Sequence, residues 1–183
     1  MFKGCMLTLI LSLLGLYPLA SSLTASTPEP PSGDVAEQVT SPHGRYIAQL
    51  YRCCEFYPYI SAFEIVDTQT GATHLQNLSD VENLDSLAGG IYFAWTPSEN
   101  YLVITTDNRV TSHGCDELLV YSADGGELVY SSVSTSPCNG LMYDLDIGVL
   151  DLCANDDILL TTGRRFTPST GVFTQTSDKT CPN

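Results

Sequence analysis

The sequence predicts an all-β domain made of three copies of a four-stranded antiparallel repeat. Three observations lead there. Short runs rich in β-branched and aromatic residues are separated by clusters of Gly, Pro, Asn and Asp. No segment beyond the amino-terminal region has convincing helical periodicity. The chain also aligns with itself at a nearly constant spacing, the signature of stacked repeats. A β-sandwich with a similar number of strands is the alternative architecture.

Taken in chain order, Lys3 precedes an apolar run over residues 6–17, followed by Pro18 and small residues up to Ala25. Residues 1–25 are therefore expected to be a cleaved secretory signal, because the apolar run falls short of the roughly 18 residues a membrane span needs. Cys5 lies before that run, not at its end, so a lipoprotein anchor is not expected. The Pro-rich residues 26–34 read as a tether that can neither continue a helix nor pair as a central strand. Residues 35–183 are of ordinary single-domain size, with repeats expected at about 35–84, 90–135 and 141–178.

Within those bounds Ser41-Pro42-His43-Gly44-Arg45-Tyr46-Ile47-Ala48 matches Thr96-Pro97-Ser98-Glu99-Asn100-Tyr101-Leu102-Val103, 55 residues later. A fainter copy, Cys153-Ala154-Asn155-Asp156-Asp157-Ile158-Leu159-Leu160, follows after a further 57. Each copy is a polar turn leading into a strand. Downstream, residues 63–67, 118–122 and 166–167 are strands running into turns that end at Gly71, Gly126 and Gly171, where a left-handed residue is expected. Returning strands follow at 72–76, 127–131 and 172–175. A strand precedes each polar turn, at 35–39, 91–95 and 146–150. The central hairpin of the third copy is shorter by about ten residues, and only 78–87 could form a short helical turn.

The motifs Ser41-Pro42-His43-Gly44-Arg45-Tyr46-Ile47-Ala48 and Ala94-Trp95-Thr96-Pro97 resemble the Trp-Ser-Pro-Asp-Gly signature of Tol-type, WD-repeat-like β-propeller blades. His43 stands where that signature has Asp, the second copy has Ser98-Glu99-Asn100, and the third lacks Ser-Pro. The resemblance implies a blade whose innermost strand leads through the turn into the apolar core strand. Closed propellers use four to eight blades. Three blades imply a partial propeller, or one completed by a second copy of the chain, and their end faces must be covered by capping or self-association.

The formal net charge of −14, from 21 acidic against 7 basic residues, excludes the basic footprint that nucleic-acid binding requires. It also disfavours anionic membrane surfaces once the signal is removed. Six cysteines remain in the mature chain: Cys53, Cys54, Cys115, Cys138, Cys153 and Cys181. An even count in an exported chain argues for disulfides, and none of the spacings suits structural zinc. Neighbours on a strand face opposite ways, so Cys53 and Cys54 are expected to have different partners. One of them is expected to bond to Cys115, joining the first two hairpin insertions. Cys138, Cys153 and Cys181 then share the remaining thiol in two further bonds.

The sequence contains no nucleophile elbow, H-E-x-x-H, P-loop or dinucleotide fingerprint. His43, His74 and His113 read as turn or surface residues, and no catalytic residue, cofactor or metal is expected. The densest carboxylate group, Asp144, Asp146, Asp151, Asp156 and Asp157, fails the pattern of a calcium loop and reads as solvated turn residues. Tyr51, Phe56, Tyr57, Tyr59 and Phe63 surround Cys53-Cys54, with Phe63 expected in the core and Tyr57 and Tyr59 open to either packing or recognition. Asn77-Leu78-Ser79 fits a glycosylation acceptor. The expectation is a secreted or periplasmic non-enzymatic module binding a protein or glycan partner. The competing expectation is a secreted hydrolase using the carboxylates of residues 144–157.

Overall fold

The computed structural model describes residues 33–53, 59–80, 90–107, 117–132 and 149–182. Among these residues the fold is all-β, in three four-stranded antiparallel sheets, each a meander of consecutive strands. The first sheet comprises β1 (Asp34–Thr40), β2 (Tyr46–Cys53), β3 (Tyr59–Asp67) and β4 (Thr73–Asn77). The second comprises β5 (Gly90–Trp95), β6 (Tyr101–Asp107), β7 (Glu117–Ser122) and β8 (Leu128–Ser131). The third comprises β9 (Val149–Leu152), β10 (Ile158–Leu160), β11 (Arg164–Thr167) and β12 (Val172–Gln175). A 3₁₀ turn, Leu78–Asp80, occupies the start of the expected helical turn, whose remainder lies outside the described residues.

Two boundaries differ from expectation. β1 starts at Asp34, within the expected tether, because Gly33 runs close against Arg52: a Cβ at that position would lie 2.1 Å from the Arg52 carbonyl oxygen. β9, expected at 146–150, is seen over Val149–Leu152 and so runs two residues further than expected, with residues 146–148 outside the described residues; its pairing with β10 shifts register between Leu159 and Leu160. The expected signal sequence, most of the tether, Cys54, Phe56, Tyr57, His113, Cys115, Cys138, Asp144 and Asp146 lie outside the described residues.

The sheets stack face to face, with the second in the middle. Strand alternation decides which side chains enter each interface. Tyr46, Ala48 and Leu50 of β2 and Phe63 and Ile65 of β3 pack against Trp95, Leu102, Ile104, Leu119 and Tyr121 of the second sheet. The opposite face of that sheet, Val103, Leu118 and Val120, packs against Ile158, Leu160 and Phe166. The two inner strands of the second sheet are therefore buried on both faces, which explains their unbroken apolar runs Leu102-Val103-Ile104 and Leu118-Leu119-Val120. Each such side chain contributes roughly 1.5–3 kcal/mol by leaving water. Aromatic contacts tie the layers together. The Trp95 ring stacks on Tyr46 with centroids 5.6 Å apart while its indole N–H donates to Val39 O at 3.1 Å. Phe63 meets Tyr121 edge-on at 4.6 Å, and Tyr130, Phe166 and Phe173 form a triad joining the second and third sheets.

The two outer faces of the stack are treated differently. On the first sheet, β2 turns Gln49 and Tyr51 outward, and the Tyr51 hydroxyl donates to Glu64 Oε2 at 2.9 Å and lies 3.2 Å from Gln49 Oε1. Gln49 and Glu64 are cross-strand partners, so this end carries a polar surface, the usual form of a terminal repeat. On the third sheet the outward Leu159 is fully buried, and the carboxy-terminal segment meets its two cross-strand partners, Arg165 and Asp151. Exposed large apolar residues (Val35, Tyr92, Leu128, Leu150 and Val172) all sit on the first or last strand of their sheets.

Candidate functional site

Antiparallel meanders sort their connections by end. The turns β1–β2 and β3–β4, with their counterparts in the other two sheets, gather at one end of the stack and are short. Segments 81–89, 108–116 and 133–148 are longer and leave from the opposite end, where strands β2, β4, β6 and β8 finish and β3, β5, β7 and β9 begin; segment 54–58 lies at that end too, but is no longer than the turns.

The short-turn end is rigidly built. In the first turn of each repeat, the N–H of the fourth residue donates to the carbonyl of the first: Gly44 to Ser41, Glu99 to Thr96, Asp156 to Cys153, each at 2.9 Å. That fourth residue is left-handed in all three, with φ of 79° at Gly44, 64° at Glu99 and 67° at Asp156. Left-handed backbone costs a side-chain-bearing residue roughly 1–2 kcal/mol. Two carboxylates therefore occupy positions where glycine is the comfortable choice, and both reach into the turn of the preceding repeat.

Glu99 Oε1 accepts the Ser41 hydroxyl and the His43 N–H, both at 2.5 Å, and His43 Nδ1 lies 3.6 Å from Oε2. Ser41 in turn accepts the Tyr46 N–H at 2.9 Å, so its hydroxyl is used in both directions. Asp156 makes a related contact one sheet further on, accepting the Ser98 hydroxyl and, at 2.8 Å, the Asn100 side-chain amide, the third and fifth residues of that turn, where Glu99 meets the first and third of its own neighbour. Burial pushes the Glu99 carboxyl upward, but the Ser41 hydroxyl, the His43 N–H and the Arg45 N–H outweigh it and hold the group below the usual carboxylate range.

The second turn of each repeat is equally determined. Asp67 Oδ1 accepts the N–H groups of Gln69 (2.8 Å) and Thr70 (3.2 Å), and Arg45 pairs with Oδ2 at 3.2 Å. Burial again opposes the charge, and these donors again prevail, leaving Asp67 below the usual range. Gly71, Gly126 and Gly171 have φ of 72°, 63° and 68°, as expected. Gly126 has a second reason to be glycine, since a Cβ there would come within 2.6 Å of His74 Cβ on β4.

The residues singled out in the sequence fall as follows. His43 and His74 belong to separate turn and strand contacts. Phe63 is core and Tyr51 joins the outer polar network, while Tyr59 opens β3. Cys53 is the last residue of β2, so the first insertion begins after it. Cys153 and Cys181 form a disulfide, S–S 2.06 Å and Cα–Cα 5.2 Å. Asp151 is exposed on β9. Asp157, 5% exposed, accepts the Thr167 hydroxyl at 2.6 Å and the Asn155 amide at 2.9 Å, with Arg165 at 3.8 Å. The described carboxylates of the 144–157 group are thus spread over a strand and a turn, and Asp156 and Asp157 are held by neighbouring donors. Among the described residues no group of three or more His, Cys, Asp or Glu side chains could hold a metal ion.

Comparison with protein-family models, with curated proteins and with solved structures finds no match to this chain. No helix among the described residues is long and apolar enough to cross a membrane.

Proposed function

We propose that this chain is an exported, non-enzymatic binding module related to Tol-type propeller blades, presenting its long inter-strand segments to a protein or glycan partner. The observation that carries the proposal is the polarity of the stack. One end is closed by short turns whose hydroxyls, amides and carboxylates are consumed by one another, while every long segment departs from the other. Rigid scaffolds with long loops at one end are a common arrangement for recognition. The segments at that end also hold Phe56, Tyr57 and His113, residue types suited to contact. The Cys153–Cys181 bond favours an oxidising compartment, in keeping with the leader-like residues 1–25. The blade assignment draws support from the four-stranded meanders and from the turn that recurs at the propeller-like motif in all three sheets.

The test is site-specific photocrosslinking of the protein expressed with its own leader. Crosslinkers at Tyr57 or His113 are expected to capture a discrete partner, and crosslinkers at Thr70 or Ser169 on the short-turn end are not. Equal capture from both ends, or retention of the protein in the cytoplasm, overturns the proposal. For the hydrolase reading, the decisive result would be turnover of a glycoside or ester panel that disappears on replacing Asp144 or Asp146.

A further inference from the structure

After β12 the chain turns back across the outward face of the third sheet. Thr176 N–H donates to Gly163 O at 3.0 Å, and Asp178 Oδ1 takes the N–H and hydroxyl of Thr180 at 3.0 and 2.6 Å. Two contacts fix the path beyond. Arg165 donates to Thr180 O at 3.4 Å over β11, and Cys181 Sγ lies 3.4 Å from Asp151 Oδ2 over β9. Arg165 and Asp151 are the two cross-strand partners of Leu159, so the segment crosses the row at its centre. Leu159 points away from the second sheet, because Ile158 and Leu160 point toward it, yet it is completely buried while Asp151 beside it is exposed.

What holds this segment down is unusual for a core element. None of residues 176–182 is buried, and the run Ser177-Asp178-Lys179-Thr180 is exposed throughout. It contributes no apolar anchor to the sheet. The covalent tie to Cys153 is its main attachment, and the two sulfurs differ in access: Cys153 is 1% exposed, whereas Cys181 is partly open to solvent.

We propose that residues 176–182 are a redox-released strap, whose disulfide decides whether the outer face of the third sheet is covered or open. A dithiol reductant opens it by attack of its thiolate on the accessible Cys181 sulfur. The S–S bond breaks, Cys153 leaves as a thiolate and takes a proton, and the second thiol of the reductant then displaces Cys181 as a thiol while closing its own disulfide. The net change is one protein disulfide reduced to two thiols and one dithiol oxidised to a disulfide. Without the tie, the polar segment departs and Leu159 is uncovered with Arg165, beside the already exposed Asp151. The surface so produced is an apolar centre between opposite charges, formed on reduction alone.

The chain carries two lysines, Lys3 and Lys179, and the second lies in the strap. A lysine-specific endoprotease therefore reports opening directly on the full chain. Closing a loop of this size suppresses opening on the order of a hundredfold, and cleavage follows the open population when reclosing is fast. Cleavage after Lys179 is expected to be slow in the oxidised protein and to accelerate by about that factor with dithiothreitol. Cys181→Ser and the double variant Cys153→Ala/Cys181→Ala are expected to be cut at the accelerated rate without reductant, while amide exchange in β6 stays protected. Equal cleavage of oxidised and reduced protein overturns the proposal. So does slow cleavage of both variants, or loss of β6 protection in them, which would make the bond a staple of the whole fold.

Discussion

Replacing Glu99 separates the two opposed contributions this residue makes. Its backbone is left-handed, at a cost of roughly 1–2 kcal/mol for a side chain with a Cβ. Its carboxylate is a shared acceptor for Ser41 and His43 in the neighbouring sheet, and hydrogen bonds to a charged group contribute about 1.5–3 kcal/mol each. The turn lies near solvent, with His43 74% exposed, so water can reach part of what is left unpaired and the loss belongs toward the lower end of that range. Glu99→Ala is therefore expected to destabilise by about 3 kcal/mol, and Glu99→Gly by about 2, since glycine relieves the backbone while losing the same contacts. For a domain of this size the alanine variant should melt about 6–12 °C lower. Urea unfolding under non-oxidising-exchange conditions, with the disulfides intact, measures both. The pH dependence supplies an independent check. The folded carboxyl is held below its unfolded range, so its stabilisation is complete above the ordinary carboxylate pKa and is lost as pH falls through the folded value. The gap between wild type and Glu99→Gln should be constant from pH 6 to 8 and close on acidification below about pH 4. A glycine variant as stable as wild type, or a gap that widens in acid, would refute the clamp.

Three further outcomes follow from contacts elsewhere. Gly126→Ala should destabilise by more than about 2 kcal/mol, since it combines left-handed strain with a Cβ pressed on His74; a thermal shift comparing it with Gly71→Ala, where nothing lies within 4 Å, isolates the steric part. Tyr121→Phe should leave stability unchanged or raise it by up to about 1 kcal/mol, because the Tyr121 hydroxyl is buried without a hydrogen-bond partner among the described residues and its burial already pushes the phenol pKa upward; a loss on denaturant unfolding would mean the hydroxyl has a partner. Leu102→Ala, in the middle layer, should cost 2–5 kcal/mol on the same assay, whereas Leu128→Ala on an exposed edge should cost under about 0.5.

The strand plan was legible because turns repeat more faithfully than strands do. Gly71, Gly126 and Gly171 mark equivalent corners, and the Ser41, Thr96 and Cys153 turns locate the paired strands beside them. The end of β9 was not, since Leu150 and Leu152 are both apolar and only pairing with Ile158 carries the strand on to Leu152. The order of the layers was written in the residues but easily overlooked. Gln49 and Glu64 interrupt the apolar runs of the first sheet, while residues 102–104 and 118–120 have no interruption, as strands covered on both sides require. The role of Glu99 was hidden by the motif itself. Against a glycine signature it is a departure; beside Asp156, a carboxylate at the same turn position that likewise takes a serine hydroxyl of the preceding turn, it is a recurring kind of contact.

The contact between successive turns also has a direction and two ends. The middle repeat carries both a plug, Glu99, and a socket, Ser98 with Asn100. The first repeat carries only a socket, for Gly44 has no side chain to insert. The third carries a plug, Asp156, and its turn is one residue shorter, closing from Cys153 N–H to Asp157 O where Thr96 N–H closes to Tyr101 O, so it has no counterpart of Asn100. Among the described turns the contact therefore runs one way, from each unit to the one before it. The middle unit should be the one that can be added again. A chain in which residues 90–148 are duplicated in tandem is expected to fold as four layers, with a denaturant m-value raised in proportion to the extra buried surface, whereas a second copy of the third unit appended after residue 175 should hang unfolded from an otherwise native stack.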